Sequence, residues 1–158
     1  MIFVDLIFFG VLLFIAYIDY KTCYIYDVHI GLAFIVALLK RLFFGFEFLD
    51  FILGTACGFA IGYIMYKLAY LYYKEEAFGF GDVLLLMVIG SYFGFSKFFP
   101  FFSVTYLVLG VLLIPAFIVK PALLHSSIPM APVYVLGALF FKSIGSPDLI
   151  DFLYMVFY

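Results

Sequence analysis

Long apolar runs separated by short polar breaks set the pattern of this chain. A membrane-crossing helix needs about 20 apolar residues, with roughly 17 to 25 tolerated. Six runs approach that length, over residues 2–18, 28–46, 51–73, 83–95, 101–119 and 128–141. Within them the apolar character is continuous. A transmembrane barrel strand would instead alternate apolar and polar positions over about ten residues. The pattern therefore predicts an all-α polytopic membrane protein, a bundle of six transmembrane helices. The breaks are a polar stretch from Asp19 to Asp27, a turn at Glu47 and Asp50, and Lys74-Glu75-Glu76 with the loop up to Gly81. A turn at Ser96, Lys97 and Pro100 and a break at Lys120-Pro121 complete them. Lys40, Arg41 and Lys67 lie near span ends, where long stems snorkel to the interface. All loops are short, so residues 1–158 read as one membrane-embedded domain. Its tail, 143–158, carries Pro147, Asp148, Asp151 and an aromatic end suited to the membrane interface.

Composition sharpens this reading. Of 158 residues, 69% are hydrophobic and 11% charged, with mean hydropathy +1.30. So few charges cannot cover a water-facing surface, and in lipid the backbone must satisfy its own hydrogen bonds. Net charge is −2 and the basic residues are scattered, which excludes a nucleic-acid partner. Cys23 and Cys57 form no CxxC pair, so neither a disulfide framework nor a zinc site is expected. The N-terminus lacks a basic region, and the first run reads as a retained helix. The 14 tyrosines and 24 phenylalanines suit lipid-facing and belt positions. Gly54, Gly58 and Gly62 form a small-residue stripe that lets two helix backbones approach closely. Internal packing is its first reading, and a homodimer face is the alternative.

Parity supplies the first functional inference. Asp19 follows the first span, Asp82 the third, and the segment Pro129-Met130-Ala131-Pro132 the fifth, so all three reach one side of the membrane. Four basic residues lie toward each side, and charge counting assigns no orientation. Taken alone, Asp82 and Asp27 read as helix N-caps. Asp19 differs, because it ends a helix, where the macrodipole disfavours a carboxylate. Two carboxylates close together in a low-dielectric site cannot both ionise easily and share a proton. One then takes a proton from water while the other protonates a carbonyl oxygen, which is aspartic proteolysis without a metal. Gly79 and Gly81 flank Phe80 and let a substrate strand approach the backbone.

These residues resemble the type IV prepilin peptidases, the GxGD-class intramembrane aspartic peptidases. Asp19-Tyr-Lys-Thr-Cys-Tyr-Ile25-Tyr-Asp27 resembles their first element, an Asp followed by an Ile/Leu-Pro-Asn/Asp triplet. Gly79-Phe-Gly-Asp82 resembles the second. Ile128-Pro129-Met-Ala-Pro132, followed by Gly137, resembles a later proline-rich element. The resemblance implies that Asp19 and Asp82 are catalytic, with Gly79, Gly81, Asp27, Pro129 and Pro132 binding substrate or shaping loops. It also implies a multi-pass protein of the cell inner membrane with its active site facing the cytoplasm. The implied substrate is a prepilin-like or pseudopilin precursor, cut after a glycine that ends a basic leader. Three positions depart from the family pattern. Tyr26 stands where proline is usual, Leu84 where a lysine often follows, and Met130-Ala131 where Phe-Gly is common. The cysteine-bearing portion that many relatives carry near the N-terminus is also missing. The expectation is a peptidase without N-methyltransferase activity and without a cofactor, metal or S-adenosylmethionine requirement.

Other polar residues read first as structure: His29 as an interfacial helix residue, Glu75 and Glu76 as a solvated turn, while His125 lies toward the active face after the fifth span. Their functional readings are tuning of the site by His29, substrate contact by His125, and attraction of a basic leader by the glutamates. A different class remains open, a small transporter or channel subunit using Asp19 and Asp82 as an ion or proton relay. A third reading, an inert scaffold built on the glycine stripe, gives no reason for Gly-Phe-Gly-Asp.

Overall fold

The computed structural model describes residues 2–45, 47–74, 78–119 and 129–157. Every regular element among them is an α-helix: α1 (Ile2–Thr22), α2 (Asp27–Phe44), α3 (Phe48–Tyr73), α4 (Phe80–Phe93), α5 (Phe95–Val119), α6 (Ala131–Ser143) and α7 (Leu149–Phe157). The all-helical class stands. The expected six spans do not map one to one onto it. Among the described residues α1 and α3 are long and apolar enough to cross a membrane, whereas α4 and α6 are apolar but only 14 and 13 residues long. The tail, expected at the interface, holds the seventh helix, tied to α5 by Lys97 and Asp148 at 3.6 Å. Glu75, Glu76, Lys120, Pro121 and His125 lie outside the described residues.

The short helix α4 sits at the centre. Its sequence is apolar on all sides, the signature of a buried helix, and Val83, Leu85, Leu86, Val88 and Ile89 are wholly shielded. Helices α1, α2, α3, α5 and α6 pack around it and one another. On α1, Phe8, Leu12 and Ile15 face this core, and on α6 Tyr134, Ala138 and Phe141 do so.

Glycines make the α3–α4 contact possible. A Cβ at Gly54 would strike the Gly90 carbonyl oxygen, one at Gly58 the Leu86 carbonyl, and one at Gly62 would lie 2.9 Å from the Val83 Cα. Gly90 returns the contact against the Gly54 carbonyl. The stripe is thus filled by α4 of the same chain. A second copy could use it only by displacing α4, which removes the stripe as a free homodimer face.

The break between α4 and α5 falls at Gly94, not at Ser96–Pro100, which belong to α5. Gly94 has φ +82°, a conformation glycine reaches without penalty. Its missing side chain leaves room for Asp50 and Arg41. Asp50 accepts from the Ser96 backbone N–H at 3.1 Å and pairs with Arg41 at 3.1 Å. It therefore satisfies one of the free donors at the start of α5 from another helix.

The same end of the bundle holds a second charged knot. Asp5 of α1 accepts from the Tyr92 hydroxyl of α4 at 2.5 Å, and pairs with Lys40 of α2 at 3.2 Å and Lys142 of α6 at 3.3 Å. The Lys40 ammonium also lies 3.6 Å from the centre of the Tyr92 ring, which stacks on Phe8 at 3.9 Å. Lys40 and Arg41, expected to snorkel outward, turn inward here. Buried Asp5 and part-buried Asp50 offer more to a cation than the interface does, and an uncompensated buried charge would be strongly destabilising.

Candidate active site

At the opposite end of α1, Asp19 is 4% exposed. The helix runs past it to Thr22, with the Cys23 N–H donating to the Asp19 carbonyl at 2.7 Å and Cys23 turning at φ +50°. Asp19 therefore lies in the last turn and not at the end of the helix. Its unfavourable position against the α1 dipole is met by a donor from elsewhere. The backbone N–H of Ala131, the first residue of α6, donates to Asp19 Oδ2 at 3.0 Å.

The local sequence around α6 leaves that donor free. Met130 is the N-cap, and its carbonyl accepts from Val133 at 3.0 Å and Tyr134 at 3.1 Å. Pro132, in the first turn, has no N–H. Ala131 is the remaining donor of that turn, and a carboxylate at a helix N-terminus is favourably placed. Pro132 thus lies inside the helix, where it shapes the first turn, and Pro129 stands just ahead of it.

The loop after Asp19 turns inward at Ile25, which is 7% exposed. Ile25 packs on Gly81: its Cβ would be 2.9 Å from a Cβ placed there. This contact interlocks the first and second sequence elements. Tyr26 has φ −82° and ψ 132°, close to the extended conformation that a proline imposes. Tyr26 thus takes a backbone conformation close to the one a proline would hold at this position. Tyr26 is the N-cap of α2, and its carbonyl accepts from the His29 N–H at 3.0 Å. Asp27, expected as a cap, is instead the first residue of α2 and is exposed. His29 packs against the rings of Phe14 and Tyr26.

Asp82 is likewise not the N-cap. That position belongs to Gly79, and the Asp82 N–H donates to the Gly79 carbonyl at 3.1 Å. The Asp82 side chain, 9% exposed, curls back over the helix start, where a Cβ on Gly79 would stand 3.3 Å from Oδ2. Oδ1 is buried and has no hydrogen-bond partner. A buried polar atom without a partner is uncommon and calls for an explanation. Asp19 is near enough for its charge to act directly on Asp82.

Two tyrosines complete the surroundings. Tyr134, one turn beyond Ala131 and fully buried, shares a 3.0 Å hydrogen bond with Tyr106 of α5, whose hydroxyl reaches Met65 Sδ of α3 at 3.2 Å. The charge of Asp82 reaches both hydroxyls. Sequence reading had merged them with the aromatic belt. The signal available was Tyr134 itself, placed a helical turn beyond Ala131. Leu84, where a lysine is frequent, packs against the core. Among the described residues no three His, Cys, Asp or Glu side chains gather at one point.

The structure thus brings together Asp19, Ile25, Gly79, Gly81, Asp82 and the start of α6, and leaves Asp27 exposed at the margin. One carboxylate is oriented by a backbone donor. The other presents a buried oxygen with no partner. Carboxylates are groups that can take and give protons. No curated protein and no solved structure matches the chain. Residues 6–114, a stretch that carries Asp19, Asp27 and Gly79–Asp82, match the type IV leader peptidase family, and the chain belongs to that family.

Proposed function

We propose that this leader peptidase is an aspartic endopeptidase with Asp19 and Asp82 as its dyad. It removes the basic leader of prepilin-like or pseudopilin precursors at the cytoplasmic face of the inner membrane. The observation that carries this reading is the joining of three separated sequence elements around two buried carboxylates: Ala131 on Asp19, Ile25 on Gly81, and Asp82 Oδ1 without a partner.

In the cleavage, the ionised carboxylate takes a proton from a water molecule as its oxygen attacks the scissile carbonyl. The protonated partner gives its proton to the carbonyl oxygen. The tetrahedral intermediate then collapses, the C–N bond breaks, and the leaving amine takes a proton from the dyad. Gly79, exposed beside the Asp82 carboxylate, leaves a passage for an extended strand. A glycine just before the cut lets that strand come close. The apolar segment after the cut remains in the bilayer. The six-span multi-pass arrangement belongs to this proposal, with α2, α4, α5 and α6 completing the crossings around α1 and α3.

The test is cleavage of a prepilin-like peptide by purified protein in detergent. Asp19→Asn and Asp82→Asn each abolish cutting while the protein still folds and inserts. Asp27→Asn, at an exposed position, retains most activity. A near wild-type rate in either dyad variant would overturn the assignment.

A further inference from the structure

The charged knot far from Asp19 and Asp82 has more donors than acceptors. Asp5 receives three partners: the Tyr92 hydroxyl, Lys40 and Lys142. Two lysines against one carboxylate leave one positive charge in excess, while Arg41 and Asp50 neutralise each other. Lys40 is also engaged with the Tyr92 ring. Lys142 has only Asp5 among the described residues, and its side chain is 36% exposed. An ammonium has three N–H donors, so Lys142 retains unused ones.

Lys142 stands at the rim of a cavity of about 330 Å³ between α1 and α6. It is lined by Ile2, Leu6, Phe9 and Leu139 together with Asp5, Lys142 and Ser143. Ile2 and Leu6 are 75% and 65% exposed, so the slot opens sideways. On a helix that crosses a membrane, that side is lipid. An apolar slot, open to acyl chains and lined by a part-exposed lysine that shares its carboxylate with a second lysine, has the two-part chemistry of a phospholipid with net negative charge.

We propose that the α1–α6 slot is a binding site for an anionic phospholipid, its phosphate on Lys142 and its upper acyl chain between Leu6 and Leu139. A zwitterionic lipid brings no net charge to answer the excess cation and is bound less well. One cationic residue near a membrane surface contributes about 1 kcal/mol toward an anionic lipid, or about a fivefold preference.

Native mass spectrometry of the full chain, released from micelles holding equal amounts of phosphatidylglycerol and phosphatidylcholine, reads this directly. The expected result is about fivefold more retained phosphatidylglycerol in the wild type. Lys142→Arg keeps that preference and Lys142→Gln removes it. Leu139→Trp fills the slot with every charge in place, and lowers retention of both lipids even if Lys142→Gln fails to fold. Equal retention of the two lipids by the wild type overturns the proposal. So does an undiminished phosphatidylglycerol signal in folded Leu139→Trp. Neither readout depends on peptidase activity.

Discussion

The hydrogen bond from the Ala131 backbone to Asp19 predicts a specific catalytic defect. Replacing Ala131 by lactic acid through nonsense suppression turns one amide into an ester. The methyl group stays and the N–H is lost, while the Met130 carbonyl becomes an ester carbonyl and accepts less strongly from Val133 and Tyr134, a weakening of the helix start that the melting measurement reads separately. Asp19 is 4% exposed, so bulk water does not replace the lost donor. A hydrogen bond to a charged group contributes about 1.5–3 kcal/mol. If the reacting carboxylate depends on that bond for its orientation, the loss appears in the barrier. At about 1.4 kcal/mol per factor of ten, kcat falls roughly 10- to 150-fold. On the proposed mechanism the Asp19 carboxylate meets the attacking water and not the bulk of the substrate, so KM stays within about threefold. Initial rates on a prepilin-like peptide in micelles measure both constants, and circular dichroism melting checks the fold. A folded ester variant with wild-type kcat would mean that α6 does not hold Asp19 for catalysis, whatever the coordinates place there. A loss confined to KM would move the role of α6 to substrate binding.

Three further outcomes follow from the packing. Gly58→Ala drives a Cβ into the Leu86 carbonyl and forces α3 from α4, lowering stability by about 1–3 kcal/mol. Gly10→Ala has open space and gains about 0.5–1 kcal/mol in a helix interior. Thermal midpoints from a thiol-reactive dye on the part-buried Cys57, in a Cys23→Ser background, separate the two, and equal shifts would refute the contact. Asp5→Asn leaves Lys40 and Lys142 facing each other without a counter-charge. Their side chains are 15% and 36% exposed, so the cost sits at the lower end of the range for broken buried pairs, about 3 kcal/mol. An unchanged midpoint by the same dye assay would show the knot to be decorative. Gly81→Ala collides with the Ile25 Cβ and reduces activity, and adding Ile25→Gly, which removes that Cβ, restores part of it. A double variant no better than the single one would place the defect elsewhere than this contact.

The sequence made the helical class and the site's ingredients legible because both depend on short-range information. Continuous apolar runs exclude strands, and Asp19, Gly79, Gly81 and Asp82 stand out as polar or flexible positions at run edges. Span count was less legible. Apolarity alone does not show how long a helix will be or how much of it is buried, and α4 is apolar throughout yet 14 residues long and largely buried. Cap positions were misread at Asp27 and Asp82 because the preceding residues, Tyr26 and Gly79, take the extended backbone of an N-cap without supplying a side-chain bond. The Asp5 knot was hidden for another reason. Asp5 and Tyr92 alone lie 87 positions apart, and nothing local in Asp5, Lys40, Tyr92 or Lys142 shows which of them will meet.

The two ends of the bundle are built by different means, and that difference bears on catalysis. At the Asp5 end, four helices are joined by side-chain charge, a hydroxyl and stacked rings. At the Asp19 end, the joining contacts are a backbone N–H on a carboxylate and an aliphatic side chain on a glycine. Backbone contacts position groups without adding competing charges. The proposed dyad needs that, because a lysine or arginine in contact with both acids would hold them ionised and remove a shared proton. On that reading the charged ties that hold α1, α4 and α6 together are best placed far from Asp19 and Asp82.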